Sequence, residues 1–187
     1  MDKNIFYIIG LDIETSSSDL NYGEILQLGV SYKINEEYYS TEYNIFFDKL
    51  IWHDLNWSKE SENVHKITKK SLTKNKDTYD SVQSKIINLL NNTFGEESII
   101  VPVGFNVGSF DLQFIKSKMP ILYKRLSYRV IDLNSLFLYK SLSNYDYNEF
   151  IEIKKNAKLD IIESLSEKKE HNASYDAMLA LLILEKF

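Results

Sequence analysis

Apolar residues first come in extended runs and then switch to helical spacing. The run Ile5-Phe-Tyr-Ile-Ile-Gly-Leu-Asp-Ile-Glu14 predicts a strand over about 5–13. A second strand over about 24–34 and a third over about 37–48 follow, joined by a tight turn near Asn35-Glu36. The third alternates imperfectly but is rich in Tyr and Phe, as strands are. Residues 49–76 read as irregular with short helical turns. A helix over about 77–94 places Tyr79, Val82, Ile86, Leu89 and Leu90 on one face. A fourth strand, about 98–104, precedes a helix over about 108–118 with Phe110, Phe114 and Ile115 inward. A fifth strand at about 128–131 leads into a helix at about 132–140, while 141–156 fits no element well. Leu159, Ile162 and Leu165 suggest a helix over about 157–166. The last helix, about 173–186, sets Ala177, Ala180, Leu181 and Leu184 at i, i+3, i+4, i+7, the spacing of one buried face. Three sequential strands followed by alternating helix and strand predict an α/β protein with a mixed five-stranded sheet flanked by helices. No repeat, low-complexity tract or linker divides it, so residues 1–187 are expected to form one domain.

Composition narrows the setting. The chain has no cysteine, which excludes a disulfide framework and a thiolate metal site. Residues 1–10 lack a basic region, a long apolar core and a small-residue cleavage site, so no secretory leader is expected. No apolar run approaches the roughly 18–20 residues of a membrane span. A cytoplasmic protein with no membrane partner is the default expectation. The net charge of −5, from 22 basic and 27 acidic residues, is not that of a protein coating long nucleic acid through phosphate contacts. It does not exclude a protein that makes only a few such contacts. Two local basic runs occur: Lys66, Lys69, Lys70, Lys74 and Lys76, without an intervening acid, and Lys116, Lys118, Lys124, Arg125 and Arg129. Each reads either as a solvated face or as a rim steering phosphates.

Five dispersed residues carry the chemistry: Asp12, Glu14, Asp111, His171 and Asp176. Asp12 and Glu14 are two apart on a strand, so both side chains leave the same face near its end. Asp111 falls at the start of a helix, where the dipole favours an anion. Asp176 falls in the first turn of the last helix. His171 and Asp176 are five apart and would not share a helix face. His171 is therefore expected in the loop before that helix, close to water, with Asn172 or Ser174 as the cap. Carboxylates gathered from distant parts of a chain repel one another, and burying them is costly unless a cation holds them. Oxygen donors without thiolates point to hard divalent ions, Mg²⁺ or Mn²⁺.

Leu11-Asp-Ile-Glu-Thr15, Glu24-Ile-Leu-Gln-Leu-Gly29, Val64-His-Lys-Ile-Thr68, Gly104-Phe-Asn-Val-Gly-Ser-Phe-Asp-Leu-Gln-Phe114, Val130-Ile-Asp-Leu133 and His171-Asn-Ala-Ser-Tyr-Asp-Ala177 follow one another in order across nearly the whole chain. Together these segments resemble the DEDDh family of 3′–5′ exonucleases, which includes proofreading subunits, ribonuclease T and oligoribonucleases. A lone D-x-E would carry almost nothing; the ordered set is specific. The resemblance implies a ribonuclease H-like fold and two divalent ions, Mg²⁺ or Mn²⁺. It implies that Asp12 bridges the ions, that Glu14, Asp111 and Asp176 complete their shells, and that His171 is the general base. The reaction implied is release of nucleoside 5′-monophosphates from the 3′ end of single-stranded DNA, RNA or short oligonucleotides. Family members often dimerise and some dock on polymerases, so the resemblance carries both as partner classes.

On the substrate side the resemblance points to Ile13, Thr15, His65, Asn106 and Phe110. His65 also reads as a structural turn residue, and Phe110 as core. Asp132 reads as a helix cap, His53 as a surface residue, and Trp52 and Trp57 as core filling. One departure stands out. The family often follows its first motif with Thr-Gly-Leu, whereas this chain has Thr15-Ser-Ser-Ser18-Asp19-Leu20. The terminal-nucleotide pocket is therefore expected to be more polar, or to be completed by Leu20 or Tyr22. The chain ends with the third-motif helix at Phe187, so no polymerase-binding tail is expected. Rival readings are a non-catalytic nucleic-acid-binding or polymerase-docking module and a phosphodiesterase of small signalling oligonucleotides.

Overall fold

The computed structural model describes residues 5–48, 55–142 and 171–186, with isolated positions at 148, 151, 152, 155, 156 and 159. The expected helix over about 157–166 lies outside the described residues apart from position 159, and Trp52 and His53 lie outside them altogether.

Strands β1 (Phe6–Thr15), β2 (Ile25–Ile34) and β3 (Glu37–Asn44) form an antiparallel meander. Asn35 and Glu36 both take positive φ, 49° and 66°. That is the two-residue turn whose twist matches a hairpin. Three helices follow: α1 (Lys59–His65), α2 (Lys69–Leu72) and α3 (Tyr79–Phe94). Strand β4 (Ile99–Gly104) pairs parallel with β1, and the two-residue β5 (Ile131–Asp132) pairs parallel with β4. The sheet order is β3-β2-β1-β4-β5, a mixed five-stranded sheet. Helices α4 (Asp111–Lys118) and α5 (Pro120–Arg125) lie between β4 and β5. Helix α6 (Leu133–Ser141) follows β5, and α7 (Ala173–Leu184) closes the described chain.

The pleat of β1 sorts its residues to two faces. Ile9, Leu11 and Ile13 join a core with Val82, Ile86 and Leu90 of α3, Leu112, Phe114 and Ile115 of α4, and Leu122 of α5. Gly10 faces the other way, against the backbone of Ala177 in α7. On that side Val103, Leu133, Phe137, Tyr175, Leu179 and Ile183 form a second core. Helix α7 was expected to bury one face; it is buried nearly all round. It lies against β1 to β4 and shares a core with Leu133 and Phe137 of α6, and its composition from Ala173 to Leu184 is apolar enough to be covered widely.

Several boundaries differ from the sequence expectation. Helix α4 starts at Asp111 rather than about 108, because Asn106 (φ 60°) turns the chain and its carbonyl accepts the amides of Ser109 and Phe110. Helix α5 had no sequence counterpart; Pro120 at its first position sets φ for a helix start after the break at Met119. Strand β3 stops at Asn44, where Ile45 leaves to bridge Asp77 in parallel. Strand β5 lies at 131–132 rather than 128–131. Among the described residues no helix is long and apolar enough to cross a membrane.

Candidate active site

Three carboxylates meet because the sheet and α7 touch backbone to backbone. In the β1–β2 register Gly10 faces Ser31, Asp12 faces Gly29 and Glu14 faces Gln27. Residues directly opposite share a face, so this face is small or polar along its length. A Cβ at Gly10 would lie 1.9 Å from the carbonyl oxygen of Ala177, and one at Gly29 would lie 2.0 Å from that of Ala173. Glycine at these two points lets the first turns of α7 rest on the strands, a close approach that any larger residue would block. Asp176, in the first turn of α7, is thereby delivered to Asp12 and Glu14. Carboxylate oxygens of Asp12, Glu14 and Asp176 lie within 4.8 Å of one another.

The entrance to α7 is pinned from several sides. Asn172 caps the helix through the amide of Tyr175 at 3.2 Å and donates to Glu42 Oε2 at 2.5 Å. Gln27 accepts the Ala173 amide at 2.8 Å and donates to Asn44 at 2.9 Å. Ser40 Oγ donates to the Ser174 carbonyl at 2.9 Å. Sequence reasoning missed Gln27, Ser31, Ser40 and Glu42. Their place comes from register: Gln27 lies opposite Glu14 and Ser31 opposite Gly10, while Ser40 and Glu42 lie opposite Ser31 and Gly29.

Asp111 stands just outside that trio. It is 2% exposed, and its Oδ1 accepts the amide of Ile13 at 2.9 Å. Burial drives its carboxyl upward, partly offset by the amides of Asp111 and Ile13, with the Asp132 charge adding to the rise. Glu14 is pushed up to about 8, by burial first, then by the charges of Asp176 and Asp111. Closely spaced, half-buried acids that resist ionisation are what a divalent cation relieves. The donors are all carboxylate oxygens, which suits Mg²⁺ or Mn²⁺. The residues present therefore fit a hard metal ion.

His171 lies in the loop before α7, as expected, exposed and with φ 66°. Its amide donates to Asp176 Oδ2 at 2.8 Å, coupling the loop to the acid. His65 is buried, bonded within its turn and to the end of β1, and among the residues lining the cleft beside Glu14. Its Nδ1 accepts the amide of Ile67 at 2.9 Å, so the neutral ring carries its proton on Nε2, which donates to the carbonyl of Thr15 at 3.2 Å. Burial holds this imidazole below its usual range, and His171 is near enough to lower it further. The bond ties the end of α1 to the end of β1.

A cleft of about 310 Å³ opens beside Glu14, lined by Ile13, Glu14, Thr15, His65 and Phe110 among the expected residues. Ser18, Ser58, Glu60, Ser61 and Val64 complete it. Its wall mixes these polar side chains with the apolar Ile13, Val64 and Phe110, and the exposed Leu20 and Tyr22 are not among its lining. Phe110 both lines the cleft and packs on the core, 5.1 Å from the Phe114 ring. Asn106 is exposed on the loop before α4 and accepts from Asn134 at 2.9 Å, outside the cleft lining. Asp132 caps α6 through the amide of Ser135 at 3.1 Å. Trp57 packs against the core, and its indole donates to Glu62.

Comparison with known proteins agrees with this geometry. A family profile described as "Exonuclease" matches residues 9–184. Exonuclease I of E. coli, in complex with a dA16 oligonucleotide, superposes with a TM-score of 0.65 at 10% identity, over 96% of this chain and 40% of that one. Exonuclease I of Methylocaldum szegediense gives 0.64 at 13% identity, over 96% and 40%. Cell-death related nuclease 4 gives 0.63 at 15% identity, over 98% and 64%. The chain thus spans about 40% of the length of the exonuclease I chains it matches. No curated protein sequence matches this one.

Proposed function

The chain belongs to the exonuclease family, and from that premise we propose that it is a metal-dependent 3′–5′ exonuclease. The reading takes residues 1–187 as one exonuclease domain acting in the cytoplasm. Its substrates are 3′ ends of single-stranded DNA, RNA or short oligonucleotides, and its products are nucleoside 5′-monophosphates. The observation that carries it is the convergence of Asp12, Glu14 and Asp176, from β1 and α7, to within 4.8 Å.

In this reading Asp12, Glu14 and Asp176, with Asp111 behind them, hold two divalent ions, Mg²⁺ or Mn²⁺. When bound, the ions would acidify the attacking water and offset charge on the leaving 3′ oxygen. The chain's own residues do the rest. The Ile13 amide fixes the Asp111 carboxylate at 2.9 Å. The terminal nucleotide enters the cleft between Ile13, Val64 and Phe110, with Thr15 and His65 at the strand end. His171 takes the proton from the water, from an exposed loop held to Asp176 by its own amide. Family resemblance extends the reading to a homodimer and to polymerase association, which size-exclusion chromatography and co-purification would test. Exonuclease I bound to dA16 supports a single-stranded substrate.

Product analysis tests the chemistry. Digestion of an unlabelled oligonucleotide in Mg²⁺ should yield nucleoside 5′-monophosphates by chromatography. Nucleoside 3′-monophosphates, or internal fragments alone, would contradict the reading.

A further inference from the structure

The two basic runs of the sequence have different fates. In the second, Lys118 pairs with Glu24 at 2.6 Å, and Arg125 donates to Asn91, Gly95 and Ser98 at 2.7–2.9 Å. Lys116 and Arg129 lie over the rings of Tyr123 and Tyr128 at 5.7 and 4.5 Å. Most of that run is therefore occupied in holding the fold. In the first run Lys69 lies over the Trp57 ring and Lys66 Nζ donates to the Asn63 carbonyl. Between Glu62 and Asp77 the chain carries five lysines and no acid, in a protein whose net charge is −5. Lys66, Lys70, Lys74 and Lys76 are exposed, and none forms an ion pair among the described residues.

Its position gives the run a purpose. Lys66 follows His65 directly, in the left-handed cap of α1 at φ 60°. His65 is bonded to Thr15 and lines the cleft beside Glu14. The basic segment thus begins next to a residue that lines the candidate active site and continues along the chain through α2 to Lys76. Lys69 Nζ lies 5.6 Å over the Trp57 ring, adding an aromatic group beside the lysines. Concentrated positive charge that starts beside a cleft on an otherwise acidic protein suits a polyanion with one end in that cleft.

We propose that Lys66, Lys70, Lys74 and Lys76 form the track for the phosphate backbone of the substrate strand 5′ of its terminal nucleotide. This inference rests on the exonuclease reading and deepens it. The track makes the preferred substrate a single strand longer than a dinucleotide. It also confines the salt-dependent part of binding to one segment of the surface.

The test measures binding apart from cleavage. An Asp12→Asn background holds a 5′-fluorescein oligothymidylate without degrading it, and anisotropy gives Kd over a series of salt concentrations. Each phosphate neutralised on a single strand contributes about 0.7 to the slope of log K against log salt. Lys66→Gln, Lys70→Gln and Lys74→Gln together should lower that slope by about 2. A charge-matched control, Lys116→Gln, Lys124→Gln and Lys140→Gln, should leave it near its original value. In the cleaving protein the first triple variant should raise KM more for longer strands than for a dinucleotide. Equal slopes in the two triple variants, or a KM effect independent of length, would overturn the track. Failure of the exonuclease reading shows differently: an unmutated protein that binds the strand through these lysines and cleaves nothing.

Discussion

Gly10 of β1 and Ala177 of α7 meet backbone to backbone, with no room for even a methyl group between strand and helix. A Cβ on Gly10 would stand 1.9 Å from the Ala177 carbonyl oxygen, and that neighbour is main chain, unable to swing aside. The contact sets the height at which α7 crosses the sheet. It therefore sets the distance from Asp176 to Asp12 and Glu14.

Gly10→Ala should damage stability and site together. Overpacking of this kind costs about 1–3 kcal/mol where the surroundings can yield, and here they are backbone. Thermal melts should show a lower Tm. The Tm gain on adding Mn²⁺ should also shrink, because the helix carrying Asp176 is pushed off the strand. A variant as stable as the parent, with a full Mn²⁺ response, would show that this contact does not position the site.

The raised carboxyl of Glu14 makes the metal-free protein sensitive to alkali. Its folded pKa, about 8, lies above the ordinary carboxyl range. Between that range and pH 8 the folded state holds more protons than the unfolded one, so stability falls as pH rises and levels off above about 8. Asp111 is shifted the same way and adds to the trend. A metal ion needs the ionised form, so the Mn²⁺-induced gain in Tm should grow over the same interval. At one hundred times its Kd a bound ion adds about 2.7 kcal/mol. Glu14→Gln should flatten the pH dependence of the metal-free melt and remove most of the Mn²⁺ response. A parent protein whose metal-free Tm rises from pH 6 to pH 8 would contradict this account.

His171 is exposed and joined to Asp176 only through its own backbone amide among the bonds described for it, so truncating its side chain should spare the fold. His171→Ala should keep its Tm and its Mn²⁺ response and lose about 10²- to 10⁴-fold in kcat, the usual weight of a general base. Single-turnover rates across pH would locate the effect in the chemical step. A loss confined to KM would assign His171 to binding instead.

Much of this arrangement can be read from the chain, for identifiable reasons. Asp12 and Glu14 on one strand face, His171 in a loop, and the Asn172 cap all follow from local periodicity and capping rules. The Asn35-Glu36 turn is equally local. Helix α5 escaped because its six residues, Pro120–Arg125, are too few to show a period. Strand β5 is only two residues long and gains its pairing from β4, a contact the local sequence does not encode. The anchoring of α7 by Gln27, Ser40 and Glu42 depends on strand register, which sets which polar groups lie under the helix. Gly10 and Gly29 were the visible trace of that approach, since glycine inside a strand often marks a close neighbour. The part of the cleft wall formed by Ser58, Glu60 and Ser61 comes from the cap and first turn of α1, in a stretch that read as irregular with short helical turns.

The most direct test is strand shortening by the intact carboxylate cluster. A 5′-labelled single-stranded oligonucleotide, as DNA and as RNA, is incubated with the protein in Mg²⁺ or Mn²⁺ beside Asp12→Asn and Asp176→Asn. The account predicts a ladder receding from the 3′ end, abolished by chelation and by either substitution. A folded protein whose melt responds to Mn²⁺ but which shortens neither strand, or one whose substituted forms cut as fast as the parent, would contradict it.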